Sequence, residues 1–278
     1  MLWLAHDGSI NADWLSHYAV HLGVGLPAKE VRAICVDDGS LEIAEFRKRS
    51  EFLRRECAGA GLTFSAESLP LRGTVSDTLR AHIPHGPETF VLCGARVHKR
   101  RFGFLEGTVS EQLLVAGCFN VIAIRIVHPG VLGNPRRLLV PVMGHPRGFR
   151  SGASFIRLLS DGLERVDVVT VLLPRRRGIG PPSVEVPQRQ RAQASAYLER
   201  VKREIHDALG SKVQLDGSVL VALDPAKGIV LAAKQHRSQL ICLGASERSL
   251  VERWVSGVPA EKVLEAAPCD VAIFRGVS

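Results

Sequence analysis

The residues best suited to do chemistry in this chain lie at 94–111, GARVHKRRFGFLEGTVSE. Gly94 follows the apolar run TFVLC. His98, Lys99, Arg100 and Arg101 come next, and Gly107 then precedes Thr108 and Ser110. Each residue type has a reason to sit beside a phosphate. A glycine lets backbone approach a ligand closely because it has no Cβ. Hydroxyls at the start of a helix add donors, and the free N–H groups and dipole of that helix favour an anion. The basic cluster screens phosphate charge. Asp7, at the end of the first apolar stretch, adds an acceptor suited to a ribose hydroxyl or an adenine amine. The same pattern also arises from an ordinary strand-to-helix turn with a capping hydroxyl and a solvated basic loop.

Other chemistries find less support. No GxxxxGK[ST] loop occurs, and no GxGxxG follows the first apolar stretch. No nucleophile elbow, HExxH helix or pair of catalytic carboxylates stands out, so no catalytic residue is assigned and any ATP hydrolysis is expected to be slow. His17 and His21 have the i,i+4 spacing of a metal pair but lack a third ligand, which favours an exposed pair. Asp37 and Asp38 suit either Mg²⁺ on a bound nucleotide or a plain acidic helix start. The six cysteines form no CxxC pair, and four of them (35, 93, 242, 269) lie in or beside apolar runs. Buried thiols in a reducing cytoplasm are the expectation.

Charge is unevenly placed. Residues 1–128 hold 14 Lys+Arg and 14 Asp+Glu, so the whole +8 excess lies beyond them. It is densest over 174–203, which suits an acidic protein partner, an anionic surface, or solvent alone. Nucleic acid is not favoured, since aromatic residues make up only 5% of the chain and no recognised binding motif is present. No apolar run approaches the ~18 residues of a membrane span. The start, MLWLAHDGS, lacks the basic region of a secretory signal, and a cytoplasmic location is expected.

The elements that must position these residues come in two copies. GARVHKRRFGFLEGTVSEQLLVAGCFNVIAIR (94–125) aligns without a gap to GASERSLVERWVSGVPAEKVLEAAPCDVAIFR (244–275). The openings LWLAHDG (2–8) and LLVPVMG (138–144) also correspond. The offset between copies grows along the chain, which places extra residues of the second copy near the Pro-, Gly- and Arg-rich PRRRGIGPPSVEVP. Domains at 1–128 and 136–278, joined by about VHPGVLGNPR, follow. Within each copy, apolar runs such as VRAICV alternate with amphipathic stretches such as LEIAEFRKRSEFLRRECA. That βαβαβαβαβ order predicts a parallel sheet with helices on both faces, binding ligands beyond the carboxyl ends of its strands where strand order reverses.

These residues resemble the universal stress proteins. Members carry G-x2-G-x9-G-[ST] between the fourth strand and the last helix, an Asp closing the first strand, and a final strand often preceded by APCPV. AHDGS at 5–9, Gly94, Gly107 and Thr108, and AAPCDVAIFR in the second copy are similar. The resemblance covers both copies. It implies two tandem Rossmann-like domains, each a five-stranded parallel sheet of order 3-2-1-4-5. Family dimers pair through the last strand, so it further implies a pseudo-dimer within one chain, with a homodimer also open. It implies ATP or AMP, with Mg²⁺, in the first domain. There Asp7 would contact the nucleoside, Val36 would pack near adenine, and Gly94, Gly107, Thr108 and Ser110 would hold phosphates. Val97 departs from the pattern by replacing the second glycine. In the second copy Met143, Glu247, Val258 and Ala260 replace the Asp, the second Gly, the hydroxyl and the later Ser. No nucleotide is expected there. The alternative is a regulatory protein of the same fold that binds no nucleotide and docks an acidic partner through its basic second half.

Overall fold

A computed structural model describes residues 1–39, 42–95, 108–142, 149–174, 186–244 and 259–277. The chain opens with β1 (Leu2–Ala5), α1 (Ile10–Val24), β2 (Glu30–Asp37), α2 (Ile43–Gly59) and β3 (Thr63–Pro70). α3 (Val75–His82), β4 (Gly86–Gly94), α4 (Val109–Ala116) and β5 (Phe119–Arg125) complete the first half. The second half repeats the order: β6 (Arg137–Pro141), α5 (Arg150–Leu158), β7 (Arg165–Leu172), α6 (Gln188–Leu209), β8 (Gln214–Val221), α7 (Pro225–Gln235), β9 (Leu240–Gly244), α8 (Pro259–Ala266) and β10 (Asp270–Arg275). Helix starts follow local chemistry. Ser9 caps α1 through Ala12 N, Thr74 and Asp77 form a reciprocal capping box on α3, and Asp224 with Pro225 opens α7.

All ten strands join one sheet of order β3-β2-β1-β4-β5-β10-β9-β6-β7-β8, so each half has the order 3-2-1-4-5. Every pairing is parallel except β5 with β10, which is antiparallel and joins the halves. Strand alternation sorts the core into two layers. Leu2, Leu4, Leu138 and Val140 face α1, α2, α5 and α6, while Trp3 and Leu139 face α3, α4, α7 and α8. Each layer runs through both halves. The central strands are covered on both faces, and so β5 and β10 read as nearly unbroken apolar runs.

The β5–β10 junction is a pseudo-two-fold written in the 150-residue repeat. Val121 pairs with Arg275 and Arg125 with Val271, around Ala123 opposite Ile273. Arg125 donates to the Leu264 carbonyl, and Arg275 donates to that of Leu114. Asn120 accepts from Val277 N (3.1 Å), and Asp270 accepts from Val127 N (2.7 Å). Tyr18 on α1 also reaches across the halves, donating its hydroxyl to Asp270 Oδ2 at 2.7 Å.

The connection between the halves is tied down. Gly133 has φ +69 and lies so close to α1 that a Cβ would fall 2.3 Å from Tyr18 N. The extra residues of the second half are divided between two places. The link from strand to helix runs from residue 37 to 43 in the first half and from 172 to 188 in the second, and the helix has 22 residues against 17. Among the described residues no helix is long and apolar enough to cross a membrane.

Candidate functional site

Strand order reverses between β1 and β4, and there the chain leaves both strands for helices. Past β1, His6 N donates to Ile34 O (2.8 Å), and Gly8 takes φ +74 to turn into α1. Within that turn Asp7 Oδ1 accepts from Ser9 N (3.0 Å) and Ser9 Oγ (2.6 Å). Past β4, Ala95 N donates to Ile124 O (2.9 Å), which holds the chain against β5 as it leaves the sheet.

A cleft of about 430 Å³ opens at these ends. Ala5, Asp7, Ser9, Asn11 and Ala12 line one side, Gly94 and Ala95 the floor, and Ile124, Arg125 and Ile126 the other side. The volume is that of a small-molecule site. The lining mixes the polar Asp7, Ser9, Asn11 and Arg125 with Ala and Ile residues. Among the described residues, a Cβ on Gly94 would meet nothing within 4 Å. Burial lowers the affinity of the Arg125 guanidinium for its proton, against the opposing charges of Asp270 and Glu265.

The structure thus brings Asp7 and Gly94 together. It does not bring Thr108, Ser110 or Val36 into the lining. Thr108 is 8% exposed and caps α4, accepting from Glu111 N (3.2 Å). Its Oγ1 lies 3.1 Å from Ser110 Oγ, itself 2% exposed. Val36 belongs to the core layer that contains Trp3. Gly107, Val97 and the basic residues 98–101 lie outside the described residues, as do Met143, Glu247 and Val258. Ala260, where the first copy has Ser110, stands in the first turn of α8.

Three polar lining residues are not among those expected from sequence: Ser9, Asn11 and Arg125. The first two follow Asp7 within one turn, so AHDGSIN carried a signal; Arg125 was seen only as the end of a repeat. His17 and His21 are half-buried rather than exposed. His17 packs against Trp14 and Phe52. Burial pushes the His21 imidazole down, against the pull of Asp161. Among the described residues no cluster of three or more His, Cys, Asp or Glu could hold a metal ion.

Part of the basic excess has partners inside the fold. Arg165 pairs with the buried Asp167 and with Asp216, Arg136 with Glu164, and Arg200 with Glu204. On α6, Arg189 and Arg191 are exposed and join no ion pair among the described residues.

Among solved structures, this chain is similar to a universal stress protein from Archaeoglobus fulgidus DSM 4304. Identity is 18% and TM-score 0.63, covering 100% of this chain and 97% of that one. It is also similar to the cytoplasmic domain of a prokaryotic cation chloride cotransporter, at 12% identity and TM-score 0.62, covering 99% and 95%. A universal stress protein in complex with cAMP superposes on 52% of this chain and 99% of its own, at 15% identity and TM-score 0.40. No curated protein sequence matches. The model of the universal stress protein family matches residues 135–275, the second copy rather than the one with the fuller motif. With half of the chain matched, its first half repeating the same strand order, this protein belongs to the universal stress protein family.

Proposed function

We propose that this chain is a tandem universal stress protein whose first domain, residues 1–128, binds ATP or AMP in the cleft beyond β1, β4 and β5. It acts in a stress response as a nucleotide-binding or sensing module, with hydrolysis at most slow. The observation that carries the reading is the convergence of Asp7 and Gly94 on one cleft of about 430 Å³ at the switch in strand order. Asp7 takes the nucleoside, and the open space over Gly94 admits the phosphates. Gly107, Thr108 and Ser110 hold the phosphates with Gly94, and Val36 packs near adenine. Mg²⁺ arrives with the nucleotide, within reach of Asp37 and Asp38. The second domain, residues 136–278, binds no nucleotide and serves packing and partner contact. The protein works in the cytoplasm.

Calorimetry with ATP and with AMP on wild type and Asp7→Ala tests the site. Saturable binding by wild type and a loss of about tenfold or more in the variant are expected. Unchanged tight binding by Asp7→Ala refutes the placement, and no binding by either protein refutes the nucleotide. Mass spectrometry of protein purified without added ligand, then denatured, is expected to release adenine nucleotide. The exposed Arg189 and Arg191 on α6 favour a second reading, an interaction protein that docks an acidic partner. Its mark is binding that weakens steeply with salt and ignores ATP.

A further inference from the structure

His6 lies one residue before Asp7, is 5% exposed, and packs its ring against Phe46. Its Nδ1 accepts from Gly8 N at 3.1 Å, and its Nε2 lies 3.3 Å from Asp13 Oδ1. A backbone N–H can only donate, so Nδ1 must present its lone pair and the ring proton must sit on Nε2, facing Asp13. The imidazole in this arrangement is neutral. It joins the end of β1, the start of α1 and the left-handed Gly8 turn that orients Asp7 and Ser9.

We propose that His6 is a proton-sensitive latch on the cleft: neutral, it holds the Gly8 turn, and protonated, it sets Nδ1–H against the Gly8 N–H and releases that turn. The inference rests on the cleft being the ligand site. Three charged groups face the ring: Asp13 from α1, Asp7 from its own turn, and Arg49 from α2, which is paired to Asp13 and Glu45. Burial, the largest influence, and Arg49 oppose the imidazolium, whereas Asp13 and Asp7 favour it. The balance lies below the ordinary value. The latch therefore holds at neutral pH and opens on acidification, and His6 is a positioning residue that acts through Gly8 and Asp7.

The test is ATP affinity, by calorimetry, at roughly pH 7.5 and 5.5, either side of the ordinary imidazole value of about 6.5. The comparison is wild type against His6→Asn, whose Oδ1 stands where Nδ1 does and accepts from Gly8 N without titrating. Wild type is expected to weaken in acid by less than about tenfold, since a free-state value below about 6.5 limits the effect at pH 5.5, and His6→Asn to hold its affinity to within about twofold. Parallel losses in both proteins, as titration of the phosphate itself would give, overturn the latch. If wild type binds no ATP at either pH, the nucleotide reading fails and ¹⁵N-detected NMR of wild type decides the latch alone. An Nε2–H tautomer with a protected Gly8 amide at the higher pH supports it, and an Nδ1–H tautomer overturns it.

Discussion

The hydrogen bond from Tyr18 to Asp270 links residues 252 apart and joins the first helix of one half to the last strand of the other. Asp270 is 1% exposed, and its two oxygens accept from Val127 N, His128 N and the Tyr18 hydroxyl at 2.7, 2.9 and 2.7 Å. The phenol stays a donor, because burial first and the Asp270 charge second push its ionisation far above the usual range. Tyr18→Phe keeps the ring and removes one charge-assisted bond, so a loss of about 1.5–3 kcal/mol is expected. Asp270→Ala leaves the buried Tyr18 hydroxyl and the two part-buried amides of Val127 and His128 without their acceptor, and a void beside them, with a loss of about 3–5 kcal/mol. Asp270→Asn retains an oxygen for the two amides, and its NH₂ can donate to a turned Tyr18 hydroxyl, so about 1 kcal/mol is expected. At about 2–4 °C per kcal/mol for large domains, Tm should fall by about 3–12 °C in Tyr18→Phe and about 6–20 °C in Asp270→Ala. Scanning calorimetry on the three variants reads the order directly. A Tyr18→Phe protein within about 0.5 kcal/mol of wild type, or an Asp270→Ala protein no worse than Tyr18→Phe, would refute the reasoning.

Other perturbations give sharp outcomes. His6 and His21 are both held below the ordinary imidazole value, chiefly by burial. The unfolded chain therefore binds protons first as pH falls: this stability is present above about pH 6.5 and lost as pH drops through the folded-state values. Tm measured across that window should decline in acid, less steeply in His21→Leu, and equal slopes would contradict the assignment. An added Cβ on Gly94 meets no described atom within 4 Å, so in Gly94→Ala Tm should stay within about 2 °C of wild type, while ATP affinity falls about tenfold. A large drop in Tm would show that Gly94 serves packing. Cys118 is half-exposed, and the other five cysteines are buried. Burial pushes the thiols of Cys35 and Cys57 up to about 11 and those of Cys93 and Cys269 up to about 12. Maleimide at neutral pH should label Cys118 first, as mapped by peptide mass spectrometry, and the others only on unfolding.

Much of this fold could be read from the repeat. The gap-free match of 94–125 to 244–275 reappears as the β5–β10 register and as the reciprocal bonds of Arg125 and Arg275. Alternating runs gave the strand and helix order, because strands covered on both faces must be apolar throughout. Contacts between distant segments were hidden. Nothing around Tyr18 or Asp270 names the other, since neither periodicity nor local propensity encodes a partner 252 residues away. The hydroxyls show a different limit. Thr108 can cap its own helix or reach a ligand, and sequence allows both; in the fold its oxygen caps α4 by accepting from Glu111 N. Val36 likewise closes a strand, and its side chain packs into the layer with Trp3 and the cleft-lining Ala95 without itself lining the cleft. Arg125 was visible as a landmark and invisible as a lining residue, because its place in the cleft depends on the convergence of three strand ends.

The antiparallel seam between β5 and β10 has a consequence for inheritance. Two identical subunits meeting across such a seam share every substitution, so damage to one cavity is damage to both. Here the partners are drawn from separate stretches of one gene, and each stretch can change alone. The two counterparts have already diverged: Asp270 accepts from the Tyr18 hydroxyl, whereas Asn120 donates to the carbonyls of Pro87 and Thr89 in its own half. A covalently joined pair of this kind is free to specialise, with one side keeping a cavity and the other becoming its scaffold.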